Sequence, residues 1–526
     1  MPYLPVQMPM SPGRRYVPLG ETHVGIASLD KKTAPSPFKL YRSCEQIALD
    51  YEILKTAPVE TDHTFSDTRL GQMLADIYGL TRRLRHTSDA LPPSDSPDSL
   101  PAEHTQHQLG DLLRRPVPSG GGLFPCELYL FINQHLCLPA GIYHYDVVHH
   151  ALDILRQGNY ASYLDHALSS SQDKPPSPFT FALLLTCFFW KDGCKYQDFS
   201  YRLQSLDLGV VIAQSLTIMD SYTLPAIVHY QFLDQSINAL LGLNFLSESV
   251  YAVITFGSSE ASERIAENHS PAHLDPPSAH SDTLPLINRW PLLAELHTSS
   301  LILTPNAFLP QRSLPALESP VSGQSYVLPV VPLDLLAHAR PRHSAWGYFK
   351  AESLTQHQLA TLLIAGAQGY NCDLDGSSAH LQQTLLYCVV NRIEGLSSGV
   401  YSYHPRKHSL ELLRAADLRA ELQSTLKNFR YNMFHVSVCI FPIAKYERGF
   451  DIYGDRWYRI QNMEAGICLQ RIHLAASSLN LGSQINLGYH VQRTNELLHL
   501  PEYFTSLAQI MVAPEYAAGQ YYEQLL

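Results

Sequence analysis

Charge is scarce in this sequence: Asp, Glu, Lys and Arg make up 16% of 526 residues, and acids outnumber bases to give a formal net charge of −11. That balance excludes a nucleic-acid-binding body and a polybasic contact with a membrane surface. Cysteine is sparse too, nine residues without a C-x-x-C pair. Neither a disulfide framework nor a zinc site is expected, and a reducing cytoplasm is the simpler setting. Long hydrophobic runs are missing: the longest, Phe181 to Trp190, is too short to span a bilayer. Met1-Pro2-Tyr3-Leu4-Pro5 shows no basic region ahead of an apolar core, so no signal peptide is expected. H-E-x-x-H, G-x-S-x-G and G-x-G-x-x-G are all absent, as is the Gly-Lys-Ser/Thr ending of a nucleotide loop. The 25 histidines are scattered and form no metal-ligand frame. Yet 45% of the residues are apolar, as in a folded globular protein, here expected to be soluble and cytoplasmic.

What the chain does have is a repeat. Gly141-Ile142-Tyr143-His144-Tyr145, followed by His150 to Arg156, returns about 258 positions later as Gly399-Val400-Tyr401-Ser402-Tyr403 followed by His408 to Arg414. Tyr201-Arg202-Leu203-Gln204 with Asp207 and Gly209 returns as Tyr458-Arg459-Ile460-Gln461 with Glu464 and Gly466, and Arg85-His86-Thr87 as Arg342-His343-Ser344. The period is far longer than that of a solenoid. It describes a duplicated domain, able to reproduce a two-fold dimer inside one chain.

The expected organisation is a first domain over 1–257 with an N-terminal arm, a Pro/Ser/His-rich linker over 258–339, and a second domain over 340–526. The first forty residues, rich in proline, are expected to wrap a surface, and 88–102 to form a loop. Helical spacing marks 67–84, 203–219, 355–368 and 461–479. Strand character marks 126–133, 179–189, 250–256, 385–390, 434–441 and 507–512, with hairpins at 141–155 and 399–413. Within the linker, 286–303 has enough apolar residues to pack. Helices and strands mix without βαβ alternation, which is an α+β pattern.

Four motifs carry candidate chemistry. Ser119-Gly120-Gly121-Gly122, between Pro118 and Leu123-Phe124-Pro125, is either a plain turn or a loop whose bare backbone approaches a flat or anionic ligand. Lys195-Tyr196 is either a proton-transfer pair or a surface lysine beside a packing tyrosine. Arg342 and Ser344 lie two apart on an extended segment and so face one side, which suits a phosphate group. Arg456 and Arg459 are either phosphate ligands or ion-pair partners of Glu447, Asp451 and Asp455.

Taken in order, these pieces resemble the flavin-dependent nitroreductase superfamily, and within it the SagB/McbC-type dehydrogenases. The family's "PSaGalyP" loop is matched by Pro118 to Pro125, its "GlYhYd" hairpin by Gly141 to Asp146, its Lys-Tyr pair by Lys195-Tyr196 and the following "YR" by Tyr201-Arg202. The second copy matches "RHS" at Arg342-His343-Ser344 and "YGdRxYR" at Tyr453 to Arg459, and has Asn486-Leu487-Gly488-Tyr489 where nitroreductases offer backbone N–H groups to flavin N5. The resemblance covers roughly 65–257 and 340–515. It implies two tandem nitroreductase-like domains forming an intrachain pseudo-dimer, with FMN as cofactor and azoline-to-azole oxidation as the activity. Lys195 would act as proton acceptor and Tyr196 as its partner.

The two copies depart from the family pattern at complementary places. The second has Asp375-Gly376-Ser377-Ser378-Ala379-His380 in place of the proline-flanked loop, and Ile452 in place of the lysine. The first has Ala226 to Tyr230, without the glycine, at the N5 position, and threonine in place of serine at Arg85-His86-Thr87. The resemblance therefore implies one composite FMN site. Ser119, Gly120 and Gly122 would come from copy one; Arg342, His343, Ser344, Arg456, Arg459, Leu487 and Gly488 would come from copy two. The substrate would be a modified peptide or carrier-bound intermediate, the partner a cyclodehydratase or peptide synthetase. Two other readings stay open: an NAD(P)H-dependent nitro or quinone reductase, and a non-catalytic subunit of a peptide-modifying complex.

Overall fold

Runs of β-branched and aromatic residues form strands, and the longer apolar-faced segments form helices. The computed structural model describes residues 11–15, 35–41, 44–50, 67–84, 113–133, 138–168, 179–222, 224–257, 289–308, 317, 324–336, 339–374, 384–427, 430–517 and 522–525. The proposed loop at 88–102, most of the first forty residues, Arg85-His86-Thr87 and Asp375 to His380 lie outside them.

Copy one comprises β1 (Gln46–Ala48), α1 (Asp67–Tyr78), β2 (Arg82–Leu84), β3 (Leu113–Arg114), β4 (Cys126–Ile132), β5 (Gly141–Asp146), β6 (Ala151–Gln157), α2 (Ala161–Leu168), β7 (Phe181–Phe188), α3 (Phe189–Tyr196), α4 (Ser200–Asp220), β8 (Ala226–His229), α5 (Asp234–Leu241) and β9 (Glu248–Phe256). α6 (Pro291–Ser299) follows. Copy two comprises β10 (Ser325–Val327), α7 (Gln356–Gly366), β11 (Leu385–Val390), β12 (Gly399–His404), β13 (Ser409–Ala415), α8 (Arg419–Thr425), β14 (Val438–Ala444), α9 (Glu447–Tyr453), α10 (Arg456–Ser478), β15 (Gly482–Asn486), α11 (Val491–Leu497), β16 (Thr505–Ser506), β17 (Gln509–Ala513) and β18 (Tyr522–Gln524).

The duplication is visible strand for strand. The first sheet runs β1-β6-β5-β4-β7-β9-β8 and the second β10-β13-β12-β11-β14-β17-β15, the same order position by position. Both hairpins carry the same register shift, at Ile142/Tyr143 and at Val400/Tyr401. Both turn through a left-handed histidine, His150 (φ 49°) and His408 (φ 45°). Each of these histidines bonds the hairpin tyrosine through Nδ1, 2.9 Å from Tyr145 Oη and 2.8 Å from Tyr403 Oη. The fold is thus α+β, in two copies of one domain.

The two copies meet along α4 and α10, which are buried on every side. Their closest approach is at the repeated glycines. A Cβ on Gly209 would collide with the Met463 carbonyl, and one on Gly466 with that of Leu206, 3.0 Å from Gly209 Cα. Beside this crossing Gln470 donates to Gln214 (2.8 Å) and the rings of Tyr201 and Tyr458 stack.

Element boundaries differ from the sequence expectations where long-range pairing intervenes. The helix expected over 67–84 stops at Tyr78, because residues 82–84 pair with β3 and, from the far end of the chain, with β18. Inside the expected linker, α6 buries Leu293, Leu296 and His297, and Trp290 packs over Gly193 of α3. β10 extends the second sheet through β13.

Candidate functional site

The glycine loop lies between β3 and β4 with Gly121 and Gly122 at positive φ (63° and 69°), a conformation that favours glycine. It is fastened from below by Asp207 on α4. Ser119 Oγ donates to Asp207 Oδ2 (2.6 Å), and Gly120 N–H donates to both carboxylate oxygens (3.1 and 3.2 Å). Ser119 Oγ in turn accepts from Phe124 N–H (2.9 Å). On its other side the loop meets the end of α3. A Cβ on Gly121 would lie 2.5 Å from Tyr196 Oη and 2.8 Å from Lys195 Nζ. Gly122 lies beside the Arg114 guanidinium, which is also 5.9 Å from the Trp346 ring centroid of copy two. Loop, lysine and tyrosine therefore converge at one half-exposed opening.

Copy two approaches this region through Arg342 and Trp346. Arg342 reaches across the interface and donates to the carbonyls of Pro116 (2.5 Å) and Arg115 (3.4 Å), with His473 within 3.2 Å. Its guanidinium is 2% exposed, so it braces the lead-in to the glycine loop. Ser344 and the Leu487–Gly488 segment are half-buried. The Gly488 N–H donates to Asn486 Oδ1 (2.9 Å), and the Gly488 carbonyl accepts from Lys427 N–H. His343 pairs with Glu515 (2.6 Å). Burial, and then the nearby Arg202, push the Lys427 ammonium below its ordinary value. Tyr431 acts on Tyr196 across the opening.

At the symmetry-related position the equivalent groups are consumed. Residues 370–374 of copy two lie along β8, with Val228 N–H donating to Asn371 and Asp373 N–H to Val228. The Asp373 carboxylate accepts from the backbone N–H groups of Tyr230 (2.9 Å) and Gln231 (2.8 Å). Arg456 and Arg459 are here, not at the glycine loop. Both pair with Asp234 at the start of α5 (2.6 and 2.9 Å), and Arg456 also donates to the Tyr230 and Ser300 carbonyls. Glu447, Asp451 and Asp455, the ion-pair partners expected from sequence, do not hold them; a residue of the other copy does. Burial alone would raise Asp234, but the two arginines outweigh it and hold the carboxylate below its usual range.

Sequence reasoning missed Asp207, Asp192, Arg114, Lys427 and Tyr431. A signal for Asp207 was present, since it recurs as Glu464 in the repeat, but it marked only the duplication. Among the described residues no group of three or more metal-ligating side chains comes together, and no helix is long and apolar enough to cross a membrane.

Residues 339–513 match the model of the nitroreductase family. Over 113 residues the chain is 36% identical to the trifolitoxin-processing protein TfxB of Rhizobium leguminosarum bv. trifolii, covering 21% of this chain and 30% of TfxB. Over 149 residues it is 26% identical to the microcin B17-processing protein McbC of Escherichia coli, covering 28% of this chain and 54% of McbC. The chain therefore spans less than two thirds of the length of either relative. The crystal structure of a putative nitroreductase from Anabaena variabilis, 23% identical, superposes with a TM-score of 0.74 over 96% of this chain and 100% of its own, a likeness of fold through both copies. Residues 339–513 are a nitroreductase-family domain, and the chain as a whole has the nitroreductase fold in tandem.

Proposed function

We propose that this chain is an FMN-dependent dehydrogenase of natural-product maturation, oxidising a modified peptide or carrier-bound intermediate such as an azoline to an azole. One FMN would lie between residues 1–257 and 340–526, which the segment 258–339 joins. The observation that carries this reading is the meeting of the glycine loop with Lys195–Tyr196, its lead-in braced from copy two by Arg342, while Asp373 and Asp234 close the symmetry-related position. The relatives named as processing trifolitoxin and microcin B17 support peptide maturation and, with it, a cyclodehydratase-like partner.

The residues present fit FMN. The loop offers backbone to a flat ring system. Lys427, pressed by Arg202, gains from an anion and has no carboxylate partner among the described residues. Asn486 Nδ2 and Gln509 Nε2, on residues paired across β15 and β17, are buried donors without a hydrogen bond among the described residues; such donors suit acceptor-rich ligands. Ser119, Gly120 and Gly122 would line one face of the cofactor, Leu487 and Gly488 its other wall, and His343–Ser344, braced by Arg342, its phosphate end. Arg456 and Arg459 are not part of this set, since Asp234 holds both. Bound FMN would supply the two-electron acceptor. Lys195 takes up the proton released by the substrate, and Tyr196 orients it. Burial, with Asp192 and Asp207, pushes the Tyr196 hydroxyl above its ordinary value, so Tyr196 stays protonated as a donor.

The purified protein reconstituted with FMN is expected to hold one flavin per chain, measured by absorbance against protein concentration. Replacing Arg342 and Ser344 together by alanine is expected to abolish that binding; full retention would refute the composite site. Lys195→Ala is expected to keep the flavin and lose at least about a hundredfold in turnover, the usual size of a general acid–base contribution. Native turnover would remove Lys195 from the mechanism. The family model matched by 339–513 favours one second reading, reduction of nitro compounds or quinones, which net NAD(P)H consumption without peptide would support.

A further inference from the structure

Beneath the glycine loop lie two buried carboxylates, Asp207 on α4 and Asp192 on α3. Asp207 receives three hydrogen bonds, all from the loop. Both oxygens of Asp192 lack a hydrogen-bond partner among the described residues. Two buried carboxylates that sense one another do not both ionise. Asp192, without donors, keeps its proton: burial, and then Asp207, raise it well above the ordinary range, against the pull of Lys195 and Lys191. Asp207 is the one that ionises. Burial lifts it to about 7, while the Ser119 and Gly120 hydrogen bonds hold it down. The other groups around it are Tyr78 of α1, Cys126 of β4, Cys187 of β7 and Tyr196 of α3, all of which feel its charge. Arg115, which acts on the same Tyr78 and Cys126, stacks on the Tyr78 and Phe124 rings.

We propose that Asp207 is a positioning residue of this site: its ionised carboxylate latches Ser119–Gly120 onto the central helix and thereby fixes the backbone on which the Lys195 and Tyr196 tips rest. Ionised, it accepts charge-assisted bonds from Ser119 and Gly120, which are shorter and stronger than neutral ones. Protonated, it carries an O–H of its own, competes with the Ser119 hydroxyl for acceptors and weakens the bond from Gly120. Ser119 then loses the geometry in which it accepts from Phe124 N–H, and the loop loosens as one unit. The consequence for cofactor affinity rests on the flavin reading given above; the latch itself does not.

Two measurements separate them. In the apoprotein, hydrogen exchange at the Gly120 and Phe124 amides, corrected for intrinsic rate, is expected to slow severalfold from pH 6 to pH 8. Asp207→Asn should leave these amides fast at both. Ser119→Ala, which removes a donor that stabilises the ionised form, should move the midpoint to higher pH and serves if Asp207→Asn does not fold. FMN affinity of the wild type should weaken about tenfold from pH 8 to pH 6, in step with the latched fraction, and that of Asp207→Asn should be flat. Unchanged exchange in the wild type, or the same pH-dependent exchange in Asp207→Asn, would overturn the latch. Exchange that follows Asp207 in a protein that binds no FMN at any pH would keep the latch and sink the flavin reading.

Discussion

Gly209→Val is expected to destabilise the chain by about 3 kcal/mol or more, the upper part of the range for overpacking a close-packed interior, and to lower the thermal midpoint by at least about 3 °C. The branched side chain would fall on the Met463 carbonyl at the crossing of α4 and α10. Relief requires the two longest helices to part, and both are buried along all but their C-terminal turns, so the displacement carries into both sheets. Gly466→Val should do the same, since its Cβ would meet the Leu206 carbonyl of α4. Gly209→Ala is the diagnostic control. In a helix interior alanine is favoured over glycine by about 1 kcal/mol, so any loss of stability must come from the crossing itself. Circular-dichroism melts of the three variants within about a degree of wild type would mean that the copies do not meet at these glycines.

Those two glycines were legible in the sequence as members of a repeated pattern, and so were the hairpins. A Gly-aromatic hairpin repeats because its turn, its bulge and its Tyr–His bond are all local, and local constraints leave local marks. What escaped notice was set by partners far along the chain. Residues 82–84 continue a helical pattern, and only their pairing with β3 and, from the other end of the sequence, with β18 makes them a strand. α6 sits in a Pro/Ser/His-rich stretch whose residues 286–303 are expected to pack, but the partner, α3, is not written in the local sequence. At the candidate site, the glycine loop and Lys195–Tyr196 were legible as motifs, and the structure brings them together. The group that anchors the loop was not, because a lone acid on a long helix looks like any other until Ser119 is placed above it.

Asp234→Ala is expected to destabilise the protein by about 3–5 kcal/mol, the usual result of removing one partner from a buried ion pair, while leaving flavin at one per chain. Asp234 lies 222 and 225 positions from the two arginines it binds, and all three side chains are almost wholly buried. Without it Arg456 keeps its bonds to the Tyr230 and Ser300 carbonyls. Arg459 fares worse: its Nε and Nη1 already lack a hydrogen-bond partner among the described residues, and Nη2 would lose Asp234. The pH dependence has a definite sign. The folded-state pKa of Asp234 is depressed, so its contribution is fully present above the ordinary carboxylate value, about 4, and is lost as pH falls below that towards the folded value. The gap between wild type and Asp234→Ala in denaturant melts should therefore be constant near neutrality and close in acid. Asp234→Leu combined with Arg459→Leu should recover part of the loss, because replacing both partners of a buried pair with apolar groups is often nearly neutral. A variant that melts like wild type would mean that the pair is not buried as described. One that keeps its melting point but sheds its flavin would place the cofactor beside Asp234. The duplicated fold would then carry its chemistry at the end that these three charges otherwise seal.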